Sequence, residues 1–290
     1  MKKFIGLLLG SFLLLGGLGT VAAQDKSEGM APPPVLTIFR EFVKPGKGGV
    51  MHQKAESAFV QASAAAKWPT HYLAVESLSG KPRALFLTGY ASFEAWEKDI
   101  NAVAKNATLS AALDRAAVAD GDLLSEADAG AFAYRDEYSL RSPVDIAHMR
   151  YFEISLYHVR PGHHKDWDDI LKLVKAAYEK IPDAHWATYE AVYGQEGGTY
   201  LVFVPMKSAS EIDRSHAQGK EFVAAMGEDG MKKLSELEAA AIESSQSNLF
   251  AFSPKMSYPE DSWVKADPDF WKPKGAPAAK KPAEKPATDH

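Results

Sequence analysis

The sequence predicts an α+β fold: two tandem βαββαβ units in one chain, their sheets closed on each other as a barrel. The prediction stands on a repeated set of landmarks, on strand-like runs in the same order around them, and on amphipathic helical stretches between those runs. Val43-Lys44-Pro45-Gly46 recurs as Val159-Arg160-Pro161-Gly162, each after an apolar run and before a helical one. Pro69-Thr70-His71-Tyr72 is echoed by Pro182-Asp183-Ala184-His185-Trp186. Both echoes continue to a glutamate and a glycine at equal distances, Glu76 and Gly80 against Glu190 and Gly194. Ser92-Phe93-Glu94 matches Ser208-Ala209-Ser210 at the start of a second helix. Landmarks kept in one order at an offset of about 115 residues mark an internal repeat.

In the first copy, Leu36 to Val43 reads as a strand, followed by a helix to about Ala66. Strands His71 to Leu78 and Ala84 to Tyr90, helices from Ser92 to about Glu126, and a closing strand Phe132 to Tyr138 complete it. The second copy opens on strand Tyr151 to Val159. His164 to Ile181 then sets Trp167, Ile170, Leu171, Val174 and Tyr178 on one helical face. Strands His185 to Val192 and Tyr200 to Val204 flank the Gly197-Gly198 turn, a helical region runs from Ser208 to about Ser245, and Asn248 to Phe252 closes the unit. This order is ferredoxin-like, the split-βαβ arrangement with helices on one sheet face. A lone sheet of this kind leaves an apolar face uncovered, and a tethered second copy covers it.

The ends of the chain differ from this middle. Lys2 and Lys3, an apolar stretch from Phe4 to about Leu18, and Val21-Ala22-Ala23 before Gln24 have the layout of a cleaved signal peptide. A periplasmic or secreted protein is therefore expected, with no stable membrane insertion after cleavage. The chain has no cysteine, which removes disulfides, thiolate catalysis and thiolate metal sites. The formal net charge is -5, and loss of Lys2 and Lys3 makes it more acidic, so nucleic acid is not an expected partner. From Pro273 the chain is rich in Pro, Ala and Lys and reads as a disordered tail. The expected organisation is 1–23 signal peptide, 24–34 linker, 35–140 first repeat, 141–148 linker, 149–253 second repeat, 254–272 extension and 273–290 tail.

The element order, the strand-Pro-Gly-helix step and the start of the second helix resemble the dimeric α+β-barrel superfamily, which includes antibiotic-biosynthesis monooxygenases and NIPSNAP-like proteins. The resemblance covers about Val35 to Phe252. It implies two ferredoxin-like units whose helix-free faces enclose a cavity; here both lie in one chain, so the barrel closes without a partner subunit. It also singles out His216, near the second-helix position where haem-degrading and monooxygenase relatives carry a functional histidine. Those haem-degrading relatives use an asparagine on the first strand, which neither copy has, and the first copy carries Asn101 near the histidine position.

Strand alternation assigns the remaining candidates. Phe152, Ile154 and Leu156 are taken to face the helices, which turns Glu153, Ser155 and Tyr157 into the barrel. Thr37, Phe39 and Glu41 likewise face inward, with Arg40 misplaced on the helix side. On the second strands Tyr72 and Glu76 share a face, as do Trp186 and Glu190. The expected ligand-binding set is thus Glu153, Tyr157, Trp186, Glu190, Tyr72 and Glu76, a pocket for a flat, partly polar molecule. His71 and His185 are expected to pack beneath the helices or to lie at the strand starts; with the parity reversed they would line the interior instead. His158, His163 and His164 read as a solvated helix entrance, and Gly46-Lys47-Gly48-Gly49 as a turn without P-loop spacing. Neither a nucleophile elbow nor a dinucleotide fingerprint occurs, and no metal or cofactor is expected. The leading function is an envelope module that binds a small aromatic or amphipathic ligand. A cofactor-independent monooxygenase acting on a phenolic substrate is the alternative, and an interaction protein with a filled barrel the second alternative. Whether the chain is an enzyme is left open.

Overall fold

The computed structural model describes residues 29–272. The expected signal segment, its cut before Gln24 and the tail from residue 273 lie outside the described residues. The first half consists of β1 (Val35–Val43), α1 (Val50–Ala65), β2 (Leu73–Ser77), β3 (Arg83–Tyr90), α2 (Phe93–Lys105), α3 (Ala107–Gly121) and β4 (Leu124–Tyr134). The second consists of β5 (Tyr151–Val159), α4 (His164–Tyr178), β6 (Ala187–Tyr193), β7 (Thr199–Met206), α5 (Ser210–Ala241) and β8 (Ile242–Phe252). Short helices α6 (Asp261–Ala266) and α7 (Pro268–Trp271) follow. The α2 helix starts where Ser92 Oγ accepts from the Ala95 amide, and α3 where the Asn106 side chain accepts from Leu109. Gly227, at φ 68°, interrupts α5.

Eight antiparallel strands close in the order β1-β3-β2-β8-β5-β7-β6-β4. The halves meet along two seams, β2 with β8 and β4 with β6. Each first strand carries a bulge at the same place, Phe42/Val43 in β1 and His158/Val159 in β5. Gly80 and Gly194, paired in the sequence repeat, both take positive φ, and each sits against the other half: Gly80 beside Asn248, Gly194 against the Ala129 carbonyl. At Gly194 the neighbour is strand backbone, and only a residue without Cβ fits so close in that conformation.

The strand parity is the reverse of that read from the sequence. Leu36, Ile38, Phe152, Ile154, Phe203, Phe250 and Phe252 form one buried cluster inside the barrel. An eight-stranded barrel is just wide enough for side chains to fill it, and it excludes water most completely, so the purely apolar register goes inside. The mixed register, with Thr37, Phe39, Glu41, Glu153 and Tyr157, lies under the helices, where polar ends can reach a rim. Arg40 is on the inner face after all, at one barrel mouth, in a fork with Asp128 whose Nε–Oδ1 distance is 3.0 Å. The last strand of each half also begins earlier than its apolar residues suggest, at Leu124 and Ile242, and residues 136–138 form a 3-10 turn. The polar and small residues Ser125 to Gly130 carry no strand pattern; the β1 backbone recruits them.

The extension after β8 packs onto the other barrel mouth. Trp271 is buried against Phe252, and its Nε1 donates to the Ala147 carbonyl at 2.9 Å. Arg150 lies 3.9 Å from the centre of the Phe270 ring and pairs with Asp267.

Candidate functional site

A cleft of about 590 Å³ opens between the outer face of the first half's sheet and its helices. Composition explains the space. The α1 and α3 helices are rich in alanine and bury few side chains: His52, Glu56 and Ser63 from α1, Leu109, Ala116 and Asp120 from α3. Small helix residues cannot fill the gap that the ferredoxin-like frame leaves above the sheet. Phe39, Phe59, Trp68, Tyr72, Phe86, Tyr90 and Trp96 wall it instead. Asp99 at the rim accepts three hydrogen bonds, from Trp68 Nε1 at 3.0 Å, Thr70 Oγ1 at 2.6 Å and Tyr90 OH at 3.0 Å. That carboxylate therefore locks three cleft-wall residues in place. Phe39 remains 44 % exposed at the opening, an apolar surface without a cover.

The floor of the cleft is ionisable. Glu41 of β1, His52 and Glu56 of α1, and Asp120 of α3 are each only 2 or 3 % exposed. His52 Nε2 stands 3.0 Å from Glu41 Oε2, 3.6 Å from Asp120 Oδ1 and 4.0 Å from Glu56 Oε1. Glu56 Oε1 and Asp120 Oδ1 have no hydrogen-bond partner, and neither has the buried Tyr72 hydroxyl. Burial raises the Glu41 carboxyl above its ordinary range, partly offset by the His52 hydrogen bond. Glu56 is pushed up to about 10 by burial first, then by the charges of Glu41 and Asp120 and by a hydrogen-bonding interaction with the Asp120 carboxylate. Burial likewise raises Asp120 and Tyr72. Three carboxylates with one imidazole among them cannot all stay charged without a counterion.

The glutamates singled out from the sequence do not converge. Tyr72 is in the cleft wall; Glu76, on the same face, is held by Gln53 Nε2 at 2.9 Å. The other four belong to the second half. Tyr157 packs on Trp167 of α4 at 5.2 Å between ring centres, and Glu153 acts electrostatically on Tyr157 and Tyr178. Glu190 accepts from Tyr200 OH at 3.2 Å and pairs with Arg135 at 3.3 Å. Trp186 donates to the Tyr138 carbonyl at 2.7 Å and lies edge-on to Tyr178. Among the described residues, Glu153, Tyr157 and Glu190 do not meet inside the barrel: Tyr157 lies under α4 with Glu153 nearby, and Glu190 lies beside Arg135 and Tyr200. His216 is exposed on α5. His163 stands at the N-terminal end of α4 and pairs with the Asp166 side chain at 2.8 Å.

The echo pairs meet elsewhere. His71, Tyr72, His185 and Trp186 all line a second cavity, about 600 Å³, at the barrel mouth beneath Pro33 and Trp263. The histidines thus lie at the strand starts, two residues before β2 and β6, rather than under the helices, and they line the inner cavity that the reversed parity gives them. His71 stacks on Tyr258 at 4.5 Å with its Nδ1 buried and unpartnered. His185 places Nδ1 and Nε2 on the carbonyls of Asp183 and Pro205, at 2.7 and 2.8 Å.

Sequence reasoning missed His52, Glu56 and Asp120. The first two had a signal, a histidine and a glutamate four apart on one face of a helix that starts right after a strand carrying Glu41. Asp120 had none, being a single acid in an alanine-rich helix.

No family model and no curated protein matches the chain. Among solved structures, a candidate monooxygenase from Fusobacterium nucleatum subsp. nucleatum superimposes with a TM-score of 0.50 at 11% identity, covering 77% of this chain and 94% of that one. An anthrone oxidase-like protein gives 0.50 at 13% identity over 78% and 94%. The chain has the α+β-barrel fold of these proteins. At such identities the likeness is one of fold.

Proposed function

We propose that the chain is an exported, periplasmic or secreted protein that holds a small aromatic or amphipathic molecule, and that the molecule sits in the first-half cleft, not between the sheets. The observation that carries this reading is the aromatic wall above a polar floor in a void of about 590 Å³. That size falls within the roughly 300–1,000 Å³ of ordinary small-molecule sites, and flat rings between Trp68, Tyr72, Phe86 and Trp96 would replace solvent with stacking contacts. Titration with 1-naphthol or a tricyclic phenol, followed by tryptophan fluorescence, tests it. Saturable quenching that Trp96→Ala weakens supports the cleft; quenching indifferent to that substitution removes it. Intact-mass analysis of exported material, expected to begin at Gln24, tests the compartment.

A monooxygenase-like activity on a phenolic substrate is the second reading. It is favoured by Glu41, Glu56 and Asp120 opening onto the same cleft, where a bound hydroxyl could exchange a proton with a buried acid. Two fold neighbours are described as a monooxygenase candidate and as anthrone oxidase-like, which is in keeping with it. Oxygen uptake with a panel of dihydroxyaromatics is the measurement: consumption dependent on the protein and lost in His52→Gln supports catalysis, and binding without uptake leaves the chain a binding protein.

A further inference from the structure

We infer that Glu41, His52, Glu56 and Asp120 form a binding site for one first-row divalent transition-metal ion, Mn²⁺, Fe²⁺ or Zn²⁺, at the floor of the cleft. Geometry comes first. One ligand atom from each residue lies within 4.8 Å of all the others, and the three distances from His52 Nε2 run from 3.0 to 4.0 Å. Donors held at roughly 2.0–2.2 Å from a common ion stand about 3 to 4 Å apart, so the three separations from His52 already suit a shared cation, and the remaining donors, all within 4.8 Å, have only a short distance to close.

Hydrogen-bond counting gives an independent reason. In the tautomer that carries a proton on Nε2, His52 can donate only one hydrogen bond from it, and the 3.0 Å contact is with Glu41. Glu56 Oε1 and Asp120 Oδ1 are then buried side-chain oxygens that no other residue's donor reaches; they can satisfy each other only while one of the two acids keeps its proton. Orphaned carboxylate oxygens in a site this dry are costly, and a protein that kept them for packing would gain by replacing them with apolar groups. A cation satisfies both at once and offsets most of the negative charge. The donor set selects the ion. An imidazole nitrogen with carboxylate oxygens and no sulfur suits Mn²⁺, Fe²⁺ or Zn²⁺, whereas Ca²⁺ and Mg²⁺ take all-oxygen shells. Access is provided too, since Glu41, Glu56 and Asp120 line the open cleft.

The site does not depend on an aromatic ligand occupying the cleft. Its test uses the full exported chain without a polyhistidine tag. Metal content is measured as purified; after chelation, calorimetric titrations with Mn²⁺, Fe²⁺ under anaerobic conditions, and Zn²⁺ are compared with Mg²⁺ and Ca²⁺. One ion per chain is expected, bound at least 100-fold more tightly for one of the transition metals than for Mg²⁺ or Ca²⁺. Glu56→Gln and Asp120→Asn should each weaken it at least 10-fold. Removing one of three crowded acids should leave the chelated protein's circular dichroism and unfolding temperature unchanged or higher, so lost affinity would not reflect lost folding. Cobalt(II) supplies an optical check: its visible bands should change in His52→Gln. No stoichiometric ion with any of the three metals, or binding that neither Glu56→Gln nor Asp120→Asn alters, overturns the proposal. Aromatic-probe binding by the chelated protein is read separately, so a missing ion and an empty cleft give different results.

Discussion

The two halves place the same backbone positions in opposite service. Glu41 of β1 faces Ala84 of β3, and Tyr157 of β5 faces Tyr200 of β7, at matching steps before matching bulges. In the second half those positions hold rings: Trp167 lies 5.2 Å from Tyr157 and 4.9 Å from Tyr200, and Ile170, Leu171 and Leu234 close the cluster. In the first half the position of Tyr200 is an alanine, and the partner of the strand residue is His52 rather than an indole. One half thus uses the space between sheet and helices for packing. The other leaves it open and polar. A fold that joins two such units can anchor itself with one and hold chemistry in the other.

The largest test of this contrast is Trp167→Ala. The indole is 1 % exposed, and its removal should cost about 3–5 kcal/mol in urea unfolding of the full chain. A loss below about 1.5 kcal/mol would mean the second half is not the anchor.

Next come the seams. A Cβ at Gly194 would stand 2.1 Å from the Ala129 carbonyl oxygen at φ 79°. Backbone cannot step aside there, and Gly194→Ala should cost on the order of 2–3 kcal/mol. At Gly80, φ 74°, the nearest atom is the Asn248 side-chain Oδ1 at 2.5 Å, which can rotate away. Gly80→Ala should cost about 1–2 kcal/mol. Equal losses in thermal melts would show that the seams are more alike than their contacts.

In the cleft, Trp96→Ala should lower affinity for 1-naphthol about 10-fold, roughly 1.4 kcal/mol. Global stability should move by less than about 1 kcal/mol, because this indole is only partly buried. A large drop in melting temperature instead would make the aromatic wall a core.

The smallest effect has the opposite sign. Glu56→Gln in chelated protein should raise stability by about 1 kcal/mol at neutral pH, by replacing an unpartnered buried acid with a neutral amide. Destabilisation would mean that the Glu56 carboxyl holds the quartet together through its interaction with Asp120, which the amide does not reproduce.

Much of the frame was present in the order of residues. The Val-Lys-Pro-Gly and Val-Arg-Pro-Gly steps, the glycines at 80 and 194, and the helical face of Trp167, Ile170 and Leu171 are local patterns. Backbone conformation and amphipathic period are written within a few residues of where they act. The α+β barrel with its two βαββαβ units follows from them. Which strand face lies inside does not. Phe152 and Glu153 alternate in either case, and only the closure of eight strands makes the interior too narrow and dry for the register that carries Glu41, Glu153 and Tyr157. The floor of the cleft was equally hidden, since Glu41, His52 and Glu56, and Asp120 arrive on three separate elements. Their meeting is a fact of packing: alanines in α1 and α3 let the helices settle over β1 without filling the space, and four ionisable side chains turn inward where the second half has aromatic rings and leucines.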